Sequence, residues 1–307
     1  MKTTLIHNPA AGGAGLVSSA DLEAALCGVG LEATHRPTNE EADLEKALRQ
    51  PGDLVVVAGG DGTVRAVASR LAGSGVPLVI VPMGTANNFG TSLGLVGKPL
   101  ELIAGLARPS TRRVDVGRVH GPWGETVFLE GAGLGVFAAA MAAYSPEDGK
   151  SPLRALSAAL RTLPGYSAPA CRLILDGSER RGNFVLVEAM NTPAIGPRLR
   201  LAPEANPSDG WLEVISIEED GRVGLTSYLT GLLAGGLEAL PNVTVSRART
   251  LRLEWFGSPL HADADILVGL DESEPQWAEI SLEPGALEVW LPALGDLPMP
   301  AELELSA

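Results

Sequence analysis

The chain has 307 residues and a formal net charge of -14 at pH 7. This charge argues against a nucleic-acid binder, which needs a basic face, and against steady adsorption to an anionic bilayer. Hydrophobic residues at 45% and charged residues at 20% are ordinary for a globular protein, and the length allows two domains or one large one.

Strand and helix patterns alternate through the first third of the chain. Predicted strands cover residues 3–7, 31–35, 54–58 and 77–81, and predicted helices cover 17–27, 40–49, 63–72, 87–93 and 100–107. Alternation of this kind predicts a parallel sheet with helices on both faces.

Strands dominate from Arg112 onwards. Predicted strands cover residues 113–119, 126–131, 171–175, 183–189, 212–217, 243–249, 280–282 and 287–291, and helical patches cover 135–144, 152–163 and 223–237. We therefore expect a mainly antiparallel β-sandwich with inserted helices to follow the α/β region. No apolar run reaches the length of a membrane span, and Cys27 and Cys171 favour a reducing, cytoplasmic location.

Glycine-rich loops follow three of the predicted parallel strands, at Ala10–Gly15, Gly59–Thr63 and Met83–Gly90. Glycine lets the backbone approach a ligand closely, and a helix start offers unpaired N–H groups to an anion. Because the carboxyl ends of parallel strands share one edge of the sheet, these loops predict a phosphate site. Asp61 would repel phosphate unless a cation such as Mg²⁺ lies beside it. Tight turns without a ligand are the alternative for each loop taken alone.

The segment GGDGT at Gly59–Thr63, followed by PMGTANN at Pro82–Asn88, resembles the catalytic domain of diacylglycerol kinases, which is shared with sphingosine kinases and bacterial lipid kinases. The resemblance implies an NAD-kinase-like nucleotide-binding domain over residues 1–111 and a β-rich lipid domain over 112–285. It also implies that residues 286–307 pack back on the first domain. ATP and Mg²⁺ are the implied cofactors, and phospholipid biosynthesis is the implied context.

Carried over residue by residue, the family pattern assigns nucleotide contacts to the loops. The candidates are Asn8, Pro9, Gly12, Gly13, Thr38, Gly59, Gly60, Asp61, Gly62, Thr63, Gly84, Thr85 and Asn87. For Thr38, an N-cap of the following helix explains the residue at least as well. Asp61 is also the candidate ligand for Mg²⁺ at the nucleotide.

The segment Met190–Trp211 resembles the family's second-domain signature. In bacterial members, an Asp-Gly turn at this place holds a structural Mg²⁺. Carried over, the ligands are Asp209 and the backbone oxygens of Asn206 and Trp211, an oxygen-rich set that suits a hard cation. An ordinary Asp-Gly turn between strands is the alternative.

The acidic segment LDESEP, residues 270–275, lies where the family has Asp-Gly-Glu-Pro. The resemblance assigns the catalytic base, which removes the proton of the acceptor hydroxyl, to Asp271 and Glu274, with Glu272 as the alternative to Glu274. A solvated acidic loop is the other interpretation.

Three segments depart from or complicate the pattern. The family usually has a polar residue and Glu where Arg65 and Ala66 stand, and many members have Asp where Asn88 stands. We hypothesise that Arg65 neutralises phosphate directly. The GAGLG segment at Gly131–Gly135 is an incomplete dinucleotide fingerprint, and it matches a family segment that lines the lipid side of the cleft.

The sequence thus predicts a lipid kinase that transfers the γ-phosphate of ATP to the hydroxyl of a diacylglycerol-like acceptor. Its expected partners are the nucleotide and a lipid at the membrane surface, reached by transient peripheral contact, with a homodimer left open. A small-molecule kinase related to NAD kinases and a weakly catalytic nucleotide- or lipid-binding protein are the alternatives. The choice between ATP and GTP stays open.

Overall fold

The computed structural model describes residues 1–8, 17–38, 41–143, 166–196, 198–219, 227–228, 230–231, 237–240, 242–269 and 274–293. The first part of the chain forms a parallel sheet with helices. Its strands are β1 (Lys2–His7), β2 (Glu32–Pro37), β3 (Leu54–Gly59) and β4 (Leu78–Pro82), and its helices are α1 (Ser19–Gly28), α2 (Glu41–Leu48), α3 (Asp61–Leu71), α4 (Asn88–Ser92) and α5 (Pro99–Gly105). The strands pair in the order β2–β1–β3–β4, all parallel.

Strand β3 shows why this region is layered. Every residue of the strand is buried, and alternate side chains point to opposite faces of the sheet. Val55 and Val57 pack with Val64 and Val67 of α3, whereas Val56 packs on the other face with residues of α1 and α5. A strand covered on both faces must be apolar throughout, as this one is.

The antiparallel part of the fold contains the remaining strands. They are β5 (Ser110–Gly121), β6 (Gly124–Phe128), β7 (Gly131–Gly135), β8 (Ala170–Leu175), β9 (Ser178–Met190), β10 (Leu212–Glu218), β11 (Val243–Ala248), β12 (Thr250–Trp255), β13 (Leu260–Ala262), β14 (Asp265–Leu267) and β15 (Gln276–Leu291), and they are accompanied by α6 (Val136–Ala143). Strand β9 pairs with β8 through its first half and with β7 and β10 through its second half. A core that includes Phe128, Phe184 and Trp255 fills the interior.

Strand β15 joins the two parts. It pairs antiparallel with β12 and β5, and Val289 and Trp290 pair with β4 in parallel. The described strands therefore form one hydrogen-bonded network of 15. This architecture confirms the predicted fold class, a parallel α/β sheet followed by an antiparallel sandwich. Among the described residues, no helix is both long and apolar enough to cross a membrane.

Several predicted element boundaries were wrong. The predicted strand over residues 126–131 is two strands, β6 and β7, because the N–H groups of Leu129, Glu130 and Gly131 donate to the carboxylate of Asp263. The predicted strands 280–282 and 287–291 are parts of the single strand β15, and β12, β13 and β14 were not predicted. The predicted helix over 152–163 lies outside the described residues, as does most of the patch over 223–237.

Candidate nucleotide and metal site

The carboxyl ends of the four parallel strands lie side by side at one edge of the sheet. Asn8, Thr38, Gly60 and Met83 directly follow β1, β2, β3 and β4. The Asn8 N–H donates to the Ala58 carbonyl at 3.0 Å. The Asn8 side chain donates to Thr63 Oγ1 at 2.9 Å. These bonds bring the ends of β1 and β3 together, as the carboxyl-edge argument predicts.

The second and third glycine loops pack backbone against backbone. A Cβ atom placed on Gly84 would lie 2.6 Å from Gly60 Cα, which is too close for any side chain. The Met83 N–H also donates to the Gly59 carbonyl at 2.8 Å. By contrast, a Cβ atom on Gly62 would meet nothing within 4 Å. Gly60 and Gly84 are therefore needed for the contact between loops, whereas Gly62 borders open space.

Helix α3 begins at Asp61, directly after this contact, and runs for 11 residues. Its N-cap is Gly60, which has no side chain to accept a hydrogen bond from the first-turn N–H groups. The helix start thus points its positive dipole end and its first-turn donors toward the edge where Gly62 is exposed. Such a helix start suits an anionic group such as a phosphate.

Asn87 fixes the third loop and Asp61 together. Its backbone is left-handed, with φ of 52°. Its side-chain oxygen accepts from the Gly84 N–H and its side-chain nitrogen donates to the Gly84 carbonyl, each at 2.8 Å. Its own N–H donates to Asp61 Oδ2 at 2.8 Å. The Gly84 N–H is consequently engaged within the protein, which differs from the sequence expectation that all three loops offer their amides to phosphate.

Glu130, which directly precedes β7, brings a second carboxyl group to this edge. It is only 5% exposed. Its Oε2 accepts from Asn88 Nδ2 at 2.9 Å and from the Gly196 N–H at 3.0 Å. Its carboxyl group lies within hydrogen-bonding reach of the Asp61 carboxyl group. Burial, and then the charges of Asp263 and Asp61, raise the pKa of Glu130 well above its usual range.

Asp263 and Arg65 border the two carboxyl groups. Asp263 is left-handed, with φ of 50°, and burial raises its pKa although three N–H groups donate to it. Arg65 of α3 donates to both oxygens of Asp265, at 2.6 Å and 2.9 Å, and its Nε lies 3.9 Å from Asp263. The hypothesis that Arg65 neutralises phosphate stays untested, and the structure shows its guanidinium already paired across the two parts of the fold.

The residues around Asp61 suit a hard divalent cation. Asp61, Glu130 and Asp263 bring three carboxyl groups together, and burial raises the pKa of each, so a bound cation would favour their ionised forms. Oxygen ligands of this kind are those that Mg²⁺ prefers. In the described ranges, however, no three acidic, histidine or cysteine side chains are arranged to hold a metal. A Mg²⁺ ion at Asp61 would therefore complete its coordination with phosphate oxygens and water, which is its usual habit.

At the Asp-Gly turn, unlike at Asp61, the carboxylate of Asp209 is paired with an arginine. Asp209 Oδ1 accepts from the Trp211 N–H at 3.1 Å, and its other oxygen forms an ion pair with Arg247. Arg247 Nε also lies 2.9 Å from Glu213 Oε1. The Asn206 carbonyl accepts from the Asp209 N–H at 3.4 Å. This turn fits a metal less well than the Asp61 edge, because a guanidinium already neutralises its carboxylate. The Mg²⁺ assignment to Asp209, Asn206 and Trp211 stays a prediction.

Other predicted site residues are only partly described. Asp271, Pro9, Gly12 and Gly13 lie outside the described residues, so their assignments stay predictions. Glu274 is exposed just before β15, and half-buried Thr38 follows β2 at the same edge as Asn8. The Thr85 carbonyl accepts from Arg198 Nη2 at 3.1 Å, and the Ala86 carbonyl accepts from Arg198 Nε at 3.2 Å.

Sequence reasoning missed the residues that the antiparallel part contributes here, which are Glu130, Asp263, Asp265 and Arg198. Glu130 lies 42 positions from Asn88, and Asp265 lies 200 positions from Arg65. None of the four belongs to a motif that predicts a contact with the glycine loops. Only Asn88, seen as a missing family acid, marked the place where Glu130 packs.

Close strand packing explains the glycines of the GAGLG segment, Gly131–Gly135. The segment forms β7, and a Cβ atom on Gly133 would lie 2.1 Å from the Val187 carbonyl oxygen of β9. The neighbouring strand therefore approaches too closely for a side chain. The segment pairs with β9 and β13 as an ordinary strand, so it does not form a dinucleotide-binding turn.

Comparisons with known proteins agree with this arrangement. Residues 2–119 match the family described as "Diacylglycerol kinase catalytic domain", and residues 132–291 match the "YegS C-terminal NAD kinase beta sandwich-like domain". A diacylglycerol kinase of Mycobacterium tuberculosis is 30% identical over 306 residues, covering 96% of both chains.

A YegS-like lipid kinase of Pseudomonas aeruginosa is 32% identical over 277 residues and covers 86% of both chains. The crystal structure of a diacylglycerol kinase of Bacillus anthracis superposes with a TM-score of 0.67 at 20% identity, covering 95% of this chain and 97% of the other, and supports the fold. The sequence matches, which extend over nearly the whole chain, show that this protein belongs to the diacylglycerol kinase and YegS-like lipid kinase family.

Proposed function

We propose that the protein transfers the γ-phosphate of ATP to the hydroxyl group of a diacylglycerol-like lipid. The observation that carries the proposal is the edge where Gly60 and Gly84 pack together, beside the open start of α3 and the Asp61 carboxyl group. Binding of a phosphate donor requires backbone N–H groups, the positive end of a helix dipole and a ligand for a cation at one place. This edge offers all three. Relatives named as diacylglycerol and lipid kinases support a lipid acceptor.

In this proposal, the residues of the edge bind and orient rather than form covalent bonds, since phosphoryl transfer needs little covalent chemistry from the protein. The first-turn N–H groups at Gly62 and Thr63 bind phosphate oxygens. Asp61, oriented by the Asn87 N–H, is the ligand for Mg²⁺. Bound there, Mg²⁺ would neutralise phosphate charge. Asp271 or Glu274 accepts the proton of the acceptor hydroxyl as general base.

Turnover with a panel of acceptors tests this proposal. The full chain is incubated with labelled ATP or GTP and Mg²⁺, and with diacylglycerol in mixed micelles, a sphingoid base, glycerol or NAD. We expect label in the diacylglycerol product, and loss of at least about a hundredfold in Asp61→Asn because that variant loses the charged cation ligand.

Each other outcome of the panel contradicts a stated part of the proposal. Label in NAD or glycerol alone would replace the lipid acceptor with a small polar one. Nucleotide binding without transfer to any acceptor would make the protein a binding module. Transfer with GTP alone would overturn the choice of ATP. Asp265→Asn is the comparison variant for Asp61→Asn, because it removes a nearby carboxylate that is bound by Arg65 rather than by the loops.

A further inference from the structure

Glu130 is a buried acid whose surroundings come from both parts of the fold. Its side chain is anchored by Asn88 of the third glycine loop and by the Gly196 N–H. Both donors reach the same oxygen, Oε2. A glutamine side chain could accept a hydrogen bond with its oxygen at this place, so hydrogen bonding alone does not require an acid. The feature that only glutamate supplies is negative charge.

Within the part of the chain that the structure describes, Glu130 forms no ion pair with a cationic side chain; its side chain accepts from Asn88 and Gly196. The guanidinium of Arg65 interacts with the charge of Glu130, but Asp265 binds it bidentately. The other groups facing Glu130 are the carboxyl groups of Asp61 and Asp263. Burying a carboxyl group among like charges is costly for the protein alone, and the cost is recovered when a cation binds beside it.

Asn88 faces Glu130 from the third glycine loop. The chain has an amide there, and this amide donates to Glu130. An aspartate at position 88 would set two carboxylates against each other across a hydrogen-bond distance. The amide on the loop and the acid directly before β7 therefore form a matched pair, in which the acid belongs to the antiparallel part of the fold.

We infer that Glu130 is a positioning residue for the Mg²⁺–nucleotide complex: acting with Asp61, its carboxylate supplies across the sheet the negative charge that the loop lacks at Asn88. The inference rests on the proposed function, because it needs a nucleotide at this edge. It predicts that Glu130 makes nucleotide binding depend on Mg²⁺.

The test is the binding of a fluorescent ATP analogue to the full chain, in EDTA and across a Mg²⁺ series. The variants are Glu130→Gln, which removes the charge, and Glu130→Asp, which keeps it on a shorter side chain. Glu254→Gln is the matched control, because Glu254 is a half-buried glutamate of the antiparallel part that pairs with Arg172, away from both candidate metal sites. Thermal unfolding of each variant shows whether it is folded.

We expect E130Q to raise the half-saturating Mg²⁺ concentration at least about tenfold, since the lost carboxylate acts through the cation at close range. Binding in EDTA should be no weaker than that of the wild type. E130D should shift it less than E130Q, although its shorter side chain disturbs the hydrogen bonds more. E254Q should match the wild type. A purely structural role predicts the reverse order, with E130D more affected than E130Q.

The outcomes separate the inference from the proposed function. A Mg²⁺ dependence unchanged in E130Q, or a larger shift in E130D than in E130Q, would overturn the inference while the wild type still binds nucleotide. A wild type that binds no nucleotide with Mg²⁺ would overturn the proposed function and the inference with it. If E130Q does not fold, E130D decides: a half-saturating concentration within about threefold of wild type supports the role of charge, and a larger shift overturns it.

Discussion

At the scale of single residues, Asn87 contributes more to the site than its place in a motif suggests. Its left-handed backbone turns the third loop, its side chain closes that loop on Gly84, and its N–H fixes Asp61. Asparagine tolerates this conformation better than most residues because its short polar side chain bonds locally. One residue thus links loop shape to the orientation of the candidate metal ligand.

Replacing Asn87 should separate these contributions. Asn87→Ala loses both side-chain bonds and must adopt a strained left-handed backbone, so we expect it to lower the free energy of unfolding by about 2 kcal/mol. Asn87→Gly loses the bonds but not the backbone freedom and should cost about half as much. Urea unfolding measures both values. Equal stability of N87A and the wild type would contradict the role given to these bonds.

The two cysteines should differ sharply in reactivity. Cys27 is exposed on α1, whereas Cys171 is buried in β8, and burial raises the pKa of the Cys171 thiol to about 12. A thiol reacts as its thiolate, so the buried group should be inert. We expect a thiol reagent to modify one group per chain in the native protein and two in urea. Cys27→Ser should then show no fast reaction, and rapid double labelling of the native chain would contradict the burial of Cys171.

At the scale of elements, the parallel strands and their loops follow from local sequence. An apolar run that ends in glycine predicts both a buried strand and the tight turn after it, because both depend on neighbouring residues. The boundaries in the antiparallel part do not follow in this way. Residues 126–131 have the pattern of one strand, but the Asp263 carboxylate takes their N–H groups and interrupts the pairing. That acceptor is more than 130 positions away.

Alanine at two of the loop glycines should have opposite effects. Gly84→Ala forces a Cβ atom to within 2.6 Å of Gly60 Cα, so the loops must separate and thermal stability should fall by several degrees. Gly62→Ala points its Cβ atom into open space, so stability should stay near that of the wild type. Because that space is where phosphate is proposed to bind, G62A should weaken nucleotide affinity at least about tenfold. A destabilised G62A with normal affinity would contradict this division of roles.

At the scale of the whole molecule, a buried pair connects the core of the antiparallel part to the site. His261 and Glu188 are both fully buried, and His261 Nε2 lies 2.9 Å from each Glu188 oxygen. His261 Nδ1 lies 3.1 Å from the carbonyl oxygen of Asp263. This pair holds the turn from which Asp263 reaches residues 129–131, and so it supports the position of Glu130.

The pair should make stability depend on pH. Burial alone would lower the pKa of His261, but the charge and hydrogen bond of Glu188 outweigh it and raise the pKa above 6.5. Protonation therefore favours the folded state: the contribution is complete below pH 6.5 and is lost as pH rises through the higher pKa of the folded protein. We expect the free energy of unfolding, measured with urea from pH 6 to 9, to fall more steeply in the wild type than in Glu188→Gln. Equal slopes would contradict a charged pair.

The sequence by itself determined the parallel α/β region, the class of the second region and the glycine loops, because apolar periodicity and backbone freedom are local properties of the chain. It also indicated the lipid kinase family through short motifs whose order is preserved along the chain. The tertiary structure alone decided which acids and cations meet at the site. Glu130 and Arg198 bond to the third glycine loop, and Asp263 binds residues 129–131, all from positions far away in the chain. The electrostatics of a buried charge depend on such neighbours, which sequence spacing does not specify.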